Sequence, residues 1–378
     1  MLTRGRALVA MLRILGDRLW KTKFEEFKKL VASFGYEIVS EIVQAKDKPR
    51  TATLFGKGKI MEMKQICDEE NIDIVIVYNT LKSIQKLNLE IMLERPVIDR
   101  YELTLEIFAE NASDSVSKLQ IELAKIEKEI PYIKLQTSVI HQRDRPFTRA
   151  GGEYGYVPKL IELRKRRKRL IEKIEEMRRE KINQIIKRKE MGFNIVTIVG
   201  YYNAGKTSLF NMLTGANKKV SDTPFTTLES KYSALPKYDN ILLVDTIGFV
   251  LDLDPKIIKS FEINVDDMRY ADCLLLTIDI SESTPIIITK INTVIQTLKQ
   301  VNALNKKPII IAANKIDLVK NNEELNEKIN TLSNQIELLL KNSYPIIPVS
   351  AKKKIGIDKL AEKISETISL LRNTTSDN

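Results

Sequence analysis

Residues 200–207 read Gly200-Tyr201-Tyr202-Asn203-Ala204-Gly205-Lys206-Thr207 and separate an apolar run, 194–199, from a helical pattern, 208–213. The spacing of the glycines, lysine and threonine is that of a phosphate-binding loop, which needs a strand before it and a helix after it. In such a loop the backbone N–H groups point at phosphate oxygens, and the N-terminal dipole of the helix adds to the attraction. The stretch therefore predicts a doubly wound α/β domain that binds a nucleotide.

The side chains of this loop and of a later strand suit a triphosphate with its metal ion. Lys206 is expected to reach the β and γ phosphates, and the Thr207 hydroxyl to coordinate Mg²⁺. The apolar run 241–244 ends in Asp245-Thr246-Ile247-Gly248. In this position the Asp245 carboxylate would hold Mg²⁺ through water, and the Gly248 N–H would contact the γ phosphate.

A threonine-rich segment lies between these two motifs, where GTPases carry switch I. Residues 223–229 read Thr-Pro-Phe-Thr-Thr-Leu-Glu. One of these threonines is expected to complete the metal shell, and Thr227 is favoured over Thr226. An ordinary polar loop is the alternative interpretation of this segment.

The base is predicted to be guanine. The apolar run 309–313 ends in Asn314-Lys315-Ile316-Asp317, at an edge of the sheet where ligands bind. The Asp317 carboxylate can accept both N1–H and the exocyclic amine of guanine, whereas adenine offers no matching donor pair. A second apolar run, 344–349, leads into Ser350-Ala351-Lys352, whose backbone can meet the guanine oxygen. We therefore expect GTP and GDP as ligands.

The predicted site is spread over five segments of the chain. The residues expected to contact nucleotide are Gly200, Tyr201, Tyr202, Asn203, Ala204, Gly205, Lys206, Thr207, Ser208, Phe225, Thr226, Thr227, Leu228, Glu229, Asp245, Thr246, Ile247, Gly248, Asn314, Lys315, Ile316, Asp317, Ser350, Ala351 and Lys352. The expected metal ligands are Thr207, Thr227 and Asp245, and the residues expected to act in hydrolysis are Lys206, Thr227 and Gly248.

One residue of this set departs from Ras-like enzymes. Phe249 follows Gly248, where those enzymes carry the glutamine that orients the attacking water. A phenyl ring can neither donate nor accept that hydrogen bond. We therefore expect slow intrinsic hydrolysis, about 10⁻⁴–10⁻³ s⁻¹ or somewhat above, that accelerates when a partner orders the switches.

These motifs together resemble the HflX family of the Obg–HflX group of GTPases. Five N-terminal segments, 53–59, 78–90, 97–100, 107–109 and 118–124, are similar to the HflX-specific domain in order and spacing. The chain departs from the family pattern at 154–157, which reads Tyr-Gly-Tyr-Val, and no extra domain is expected after the GTP-binding domain. The resemblance implies a Mg²⁺-dependent GTP hydrolase that binds the large ribosomal subunit and its rRNA, with roles in ribosome splitting or rescue.

The N-terminal 109 residues alternate between strand and helix patterns. Strands are predicted at 7–12, 36–43, 73–77 and 96–98, with helices between them at 23–32, 59–70 and 83–93. This order predicts a small α/β domain with a largely parallel sheet, residues 1–109.

Residues 110–190 have a different pattern. Apolar residues recur at Leu119, Leu123, Ile126, Ile130 and Ile133, and a second stripe includes Leu163, Leu170, Ile174 and Met177. Two long helices are therefore expected to form an antiparallel hairpin, in which Pro131 bends the first helix without ending it. Residues 191–378 then form the doubly wound GTP-binding domain.

The hairpin carries most of the excess charge. Residues 159–189 contain 14 lysines or arginines against 5 acidic residues, a local net charge of +9 out of +11 for the chain, and the run 164–169 contains no acid. The connecting stretch 141–158 interleaves Arg143, Arg145 and Arg149 with Phe147, Tyr154 and Tyr156. Arginines beside aromatic rings suit RNA, so RNA contact is favoured. The alternatives are a solvated surface, a GTP-gated adaptor that recruits a protein through the hairpin, an RNA-remodelling enzyme and an acidic membrane surface.

Composition excludes several other classes. No run approaches the roughly 20 apolar residues of a membrane span, so any membrane association would be peripheral. Cys67 and Cys273 lack metal-ligand spacing, and His141 is the only histidine, which excludes zinc and histidine-based catalysis. We expect a cytoplasmic monomer whose nucleic-acid partner is RNA and not DNA.

Overall fold

The computed structural model describes residues 4–143, 152–216, 230–249, 255–304 and 307–376. The chain divides into two compact units. The first contains residues 1–110 and 118–175, and the second contains residues 111–117 and 176–378.

The first unit begins with a four-stranded parallel sheet. Its strands are β1 (Arg6–Ile14), β2 (Glu37–Lys46), β3 (Ile74–Val77) and β4 (Val97–Asp99), in the order β2-β1-β3-β4. The helices between and after them are α1 (Trp20–Ser33), α2 (Lys57–Glu69), α3 (Ser83–Leu93) and α4 (Arg100–Asn111). The predicted alternation is confirmed. The strands β1 and β2 are longer than predicted because they pair with each other along their whole length.

Asp99, at the end of β4, has a structural role in the family-like segment 97–100. Asp99 begins α4 with a reciprocal capping box, in which its carboxylate accepts the Glu102 N–H at 2.9 Å and its own N–H donates to Glu102 at 3.2 Å. The other Asp99 oxygen accepts the Leu81 N–H at 2.7 Å and the Lys128 ammonium at 2.6 Å. A single fully buried carboxylate therefore ties β4, the start of α4 and the first hairpin helix together.

Two long helices follow, α5 (Ser115–Arg143) and α6 (Gly152–Glu190). Pro131 lies inside α5, which continues for twelve further residues as predicted. The pairs Glu129–Lys159 at 2.8 Å and Glu127–Arg167 at 3.0 Å show that the two helices run antiparallel. The hairpin prediction is confirmed.

The hairpin differs from the sequence prediction in two respects. Only Ile126 and Ile133 of the α5 stripe are fully buried, and a second face, with Ile121 and Ala124, is buried as well. This second face includes Lys128, since α5 packs against the N-terminal sheet layer as well as against α6. The basic run 164–169 is also partly neutralised, because Glu122 and Glu127 of α5 pair with its two central arginines.

The second unit contains a six-stranded sheet in the order β10-β9-β8-β5-β7-β6, parallel except for β6. Its strands are β5 (Asn194–Gly200), β6 (Lys231–Leu235), β7 (Tyr238–Asp245), β8 (Cys273–Asp279), β9 (Ile309–Asn314) and β10 (Ile346–Pro348). Its helices are α7 (Lys206–Thr214), α8 (Pro255–Ser260), α9 (Glu262–Arg269), α10 (Thr284–Gln300), α11 (Asn322–Leu340) and α12 (Ile357–Ser376).

Helices cover both faces of this sheet. The buried strands contribute alternate residues to two separate cores, one on the side of α10 and α11 and one on the side of α7 and α12. This is the predicted doubly wound fold. Among the described residues, no helix combines the length and the apolar character that a membrane crossing requires.

Candidate nucleotide-binding site

The predicted motifs meet at the carboxyl ends of the parallel strands. β5 lies at the centre of the sheet; the chain adds β6 and β7 on one side of it and then crosses to add β8, β9 and β10 on the other side. Ligands of doubly wound folds bind at such a switch point. Residues 201–205 connect β5 to α7 at this point, and the residues after β7, β9 and β10 lie beside them.

The phosphate loop is held in shape by a buried asparagine. Gly205 has φ 88°, in the left-handed region where a side chain is strained, and it precedes the first residue of α7. The Asn314 amide donates to the Ala204 carbonyl at 2.9 Å and accepts the Ala351 N–H at 3.1 Å. Asn314 therefore joins the phosphate loop to the 350–352 loop, a structural role in addition to its predicted contact with the nucleotide.

Lys206 is buried inside its own loop. Its side chain is only 7% exposed, and its ammonium donates to the Tyr201 carbonyl at 2.7 Å. Burial lowers the pKa of Lys206 to about 8, while the nearby Asp245 carboxylate acts in the opposite direction. The ammonium therefore stays largely protonated near neutral pH but loses its proton more readily than that of an exposed lysine.

The described part of the metal site consists of oxygen donors. The Thr207 hydroxyl lies 3.0 Å from an Asp245 carboxylate oxygen, and Asp245 is fully buried at the end of β7. A hydroxyl beside a carboxylate is a donor set that suits Mg²⁺. Phe225, Thr226, Thr227, Leu228 and Glu229, the predicted switch I contacts, lie outside the described residues.

The start of switch II pairs with the phosphate loop. The Tyr202 N–H donates to the Phe249 carbonyl at 2.7 Å, and the Phe249 N–H donates to the Gly200 carbonyl at 3.1 Å. A Cβ on Gly248 would lie 2.9 Å from the Tyr202 Cα, so only glycine allows this approach. The Phe249 ring is 5% exposed and belongs to the core that includes Val265. The ring therefore packs inward and presents no polar group to a water molecule.

The predicted base-reading residues are also adjacent. The Ser350 hydroxyl donates to an Asp317 carboxylate oxygen at 2.6 Å and accepts the Lys353 N–H at 3.0 Å. The Lys315 ammonium pairs with Asp279 at 2.7 Å, at the end of β8. Sequence reasoning assigned only the backbone of 350–352 to the base and missed the hydroxyl that orients Asp317.

One basic residue near the loop gave no signal in the sequence. The Lys290 ammonium of α10 lies 4.6 Å from the Tyr201 ring centre and pairs with Glu282 at 2.6 Å. A lysine in a helix 85 residues beyond the loop has no motif to mark it.

Cys67 and Cys273 are both buried, and burial raises their pKa values to about 11 and 12, so neither is a thiolate near neutral pH.

Comparisons with known proteins identify the family. Residues 21–109 match the model described as GTP-binding GTPase N-terminal, and residues 195–315 match the one described as 50S ribosome-binding GTPase. The GTPase HflX of Thermofilum pendens is 32% identical over 99% of this chain and 88% of its own length. The chain belongs to the HflX family of GTPases. The GTPase HflX of Saccharolobus solfataricus is 33% identical over 90% of this chain and 94% of its own length.

A solved structure agrees with this assignment. The crystal structure of SsGBP in complex with GDP has 27% sequence identity, covers 97% of this chain and 99% of its own, and superposes with a TM-score of 0.53. The resemblance to HflX, the fold class and the GTP hydrolase activity predicted from the motifs are confirmed. This HflX-family protein binds guanine nucleotide and hydrolyses GTP.

The position of Lys206 predicts a pH dependence of nucleotide affinity. Phosphate groups stabilise the charged ammonium, so the nucleotide-bound protein holds more protons than the free protein once the pH exceeds about 8. GDP affinity is expected to stay level below that value and to fall about tenfold per pH unit above it. Titration calorimetry between pH 7 and 9 measures this. In a Lys206→Met variant only the ligand itself titrates, so its GDP affinity should not show the additional fall with pH. Equal slopes of log affinity against pH in both proteins would contradict the prediction.

Proposed function

We propose that this GTPase binds the large ribosomal subunit through rRNA contacts on α6 and hydrolyses GTP slowly to time its release. The observation that carries the proposal is a stripe of three exposed basic residues, Lys165, Arg169 and Lys173. None of the three forms an ion pair with any part of the chain that the structure describes. Their charge is therefore available to a ligand.

The geometry of the stripe suits a phosphate backbone. Residues four apart lie on one helix face, roughly 6 Å apart along the axis, so each side chain can reach a separate phosphate. Two further exposed basic residues, Arg164 and Lys168, extend the surface beside it. Among the described residues of α6, the exposed large apolar side chains are Val157, Ile161 and Ile186, so none lies between Lys165 and Lys173 for a protein partner to contact. RNA is the partner that the charges favour.

The ribosome is the RNA source that the comparisons support. The model matched by residues 195–315 is described as a 50S ribosome-binding GTPase, and the curated relatives are HflX proteins. We extend this description to the present chain. RNA contact is assigned to the N-terminal domain, residues 1–109, and to the helical hairpin, residues 110–190, and GTP chemistry is assigned to residues 191–378. The compartment is then the cytoplasm, and a monomer suffices for the activity.

The chemistry follows from the site. Thr207, Thr227 and Asp245 would hold Mg²⁺, and the bound ion would neutralise the negative charge that develops on the phosphates during transfer. Lys206 and the Gly248 N–H stabilise the same charge from the protein side. Because Phe249 packs into the core, the water-positioning group is absent from its usual place. Turnover of the free protein is therefore slow and rises when a partner orders the switches, which suits a timer for ribosome splitting or rescue.

Sedimentation and turnover test the proposal together. The protein is mixed with purified large or small subunits in the presence of GDP or a non-hydrolysable GTP analogue, over 50–200 mM salt, and its GTP turnover is measured alongside. We expect binding to the large subunit in the analogue state, a steep loss with salt, and faster turnover on that subunit. An affinity that does not change with salt concentration would indicate a protein adaptor. A rate of GTP turnover that no ribosomal subunit changes would overturn the proposal.

A further inference from the structure

The C-terminal half of α6 is attached to the helix that follows switch II. Arg178 makes a bidentate pair with Asp266 of α9, at 2.6 and 3.0 Å, and reaches Glu262 at 2.8 Å. The Asp266 side chain is 1% exposed, so the pair is shielded from solvent on the carboxylate side. Arg269 of α9 also contacts Asp266, at 3.1 Å, and completes its neutralisation.

A second buried carboxylate joins three elements. Lys181 of α6 pairs with Asp267 at 2.5 Å and donates to the Ile263 carbonyl at 2.9 Å. The Tyr232 hydroxyl of β6 donates to the other Asp267 oxygen. Burial and this carboxylate raise the pKa of Tyr232, so the phenol keeps its proton for the bond. Asp267, which is fully buried, therefore connects α6, α9 and β6.

The elements that meet here are the continuations of the two switches. β6 begins two residues after the predicted switch I segment 223–229. α9 follows α8, which follows residues 250–254 and hence Gly248 and Phe249. Ile257 of α8 and Phe261 beside α9 are both buried, and the Phe261 N–H donates to the Ile257 carbonyl at 3.2 Å. In sequence, Asp267 is linked to switch I through β6 and Tyr232, and Asp266 is linked to switch II through α8 and α9.

The end of α6 is held to the same domain. Lys189 pairs with Asp272 at 2.6 Å, and the other Asp272 oxygen accepts the Ile195 N–H at 2.8 Å, at the start of β5. The Arg188 guanidinium lies 4.0 Å from the Tyr232 ring centre. Through Asp272 this attachment joins the end of α6 to the start of the central strand β5. The contacts of Arg178 and Lys181, about two turns earlier, are those that the switch-linked elements can displace.

We propose that Asp266 and Asp267 couple the nucleotide state to α6, by pulling on Arg178 and Lys181 when the elements after the switches rearrange. The inference rests on the proposed function, since α6 carries the RNA-binding stripe, and it adds the path by which GTP regulates that stripe. Separating α6 from α9 would leave Asp267 without its cation and Asp266 with Arg269 alone, and losing a partner of a buried ion pair is strongly destabilising, so α6 is expected to follow α9. Coupling is reciprocal, so RNA bound to α6 should act back on the nucleotide site.

Hydrogen exchange of the full-length protein tests the coupling without a ribosome. Exchange of residues 178–190 is compared between the GDP and GTP-analogue states. We expect a change of about fivefold or more in the unmodified protein, and less than twofold in the Arg178→Met/Lys181→Met variant. The second variant, Arg178→Met/Asp266→Asn, removes both charges of one pair. It leaves no buried Asp266 charge without its Arg178 partner, so it controls for misfolding caused by an unpaired charge. The matched control is Arg179→Met, an exposed neighbour with no ion pair among the described residues, which should behave as the unmodified protein does.

The possible results separate this inference from the proposed function. Loss of the nucleotide-dependent change in 178–190, with protection of residues 200–207 by nucleotide retained, supports the coupling. In the same variants we expect large subunits to stimulate GTP turnover at least fivefold less, with intrinsic turnover unchanged. Equal exchange in the two nucleotide states of the unmodified protein, or an unaltered change in both variants, overturns the coupling even if ribosome binding is intact. Absence of ribosome binding would overturn the proposed function alone.

Discussion

Replacing Asp317 with asparagine is expected to lower GTP affinity by about 10⁴-fold and to create binding of xanthosine triphosphate. In the proposed role the carboxylate would accept two donors from guanine, N1–H and the exocyclic amine, and an asparagine would turn its NH₂ toward that amine. Xanthine carries an oxygen in place of the amine and so restores the match. The Ser350 hydroxyl, 2.6 Å from Asp317, can still donate to the asparagine oxygen and hold its orientation.

Calorimetry with GDP and xanthosine diphosphate measures this exchange of specificity. Asp358→Asn, an exposed substitution in the first turn of α12, is the matched control and should leave both affinities unchanged. A Ser350→Ala variant should weaken GDP binding to a smaller degree, since it frees the carboxylate without altering its donors and acceptors. If Asp317→Asn retained GTP affinity within tenfold, another residue would have to read the base.

Reversing the charge of Lys165, Arg169 and Lys173 to glutamate is expected to weaken large-subunit binding by about 10²–10³-fold. Each of these side chains is assigned one phosphate contact, so the slope of log affinity against log salt should also decrease by about 2–3. Nucleotide affinity should stay the same, because all three residues lie on α6 and outside the GTP site. Sedimentation across a salt series gives both quantities.

The choice of residues matters for this experiment. Arg166 and Arg167, in the middle of the same basic run, pair with Glu122 and Glu127 of α5, so their reversal would disturb the hairpin as well as the RNA surface. The control is a triple reversal of exposed lysines in the GTP-binding domain, Lys299, Lys341 and Lys359. It changes the net charge equally. If both triple variants lost binding alike, overall charge would explain the effect and the stripe would not.

Local sequence patterns determined most elements and the strand ends at which the candidate nucleotide-site motifs lie. The strand endings at Gly200, Asp245 and Asn314 were predictable because a parallel sheet brings the carboxyl ends of its strands to one edge. Family membership followed from the same motifs, since each motif requires a strand before it and a loop after it. The departure at Phe249 was also predictable from the sequence, because the residue after Gly248 is the one that orients the attacking water in Ras-like enzymes.

Only the tertiary structure decided which distant side chains meet. The Ser350 hydroxyl on Asp317 and the Asn314 bridge to Ala204 depend on loops that approach each other after the sheet forms. The pairs of Arg178 and Lys181 with Asp266 and Asp267 join residues more than 80 positions apart. A basic residue on a helix has the same local pattern whether it faces water, RNA or a buried carboxylate. The periodicity of a sequence indicates that a helix has a polar face. The packing of other elements decides whether that face contacts solvent, a ligand or another part of the protein.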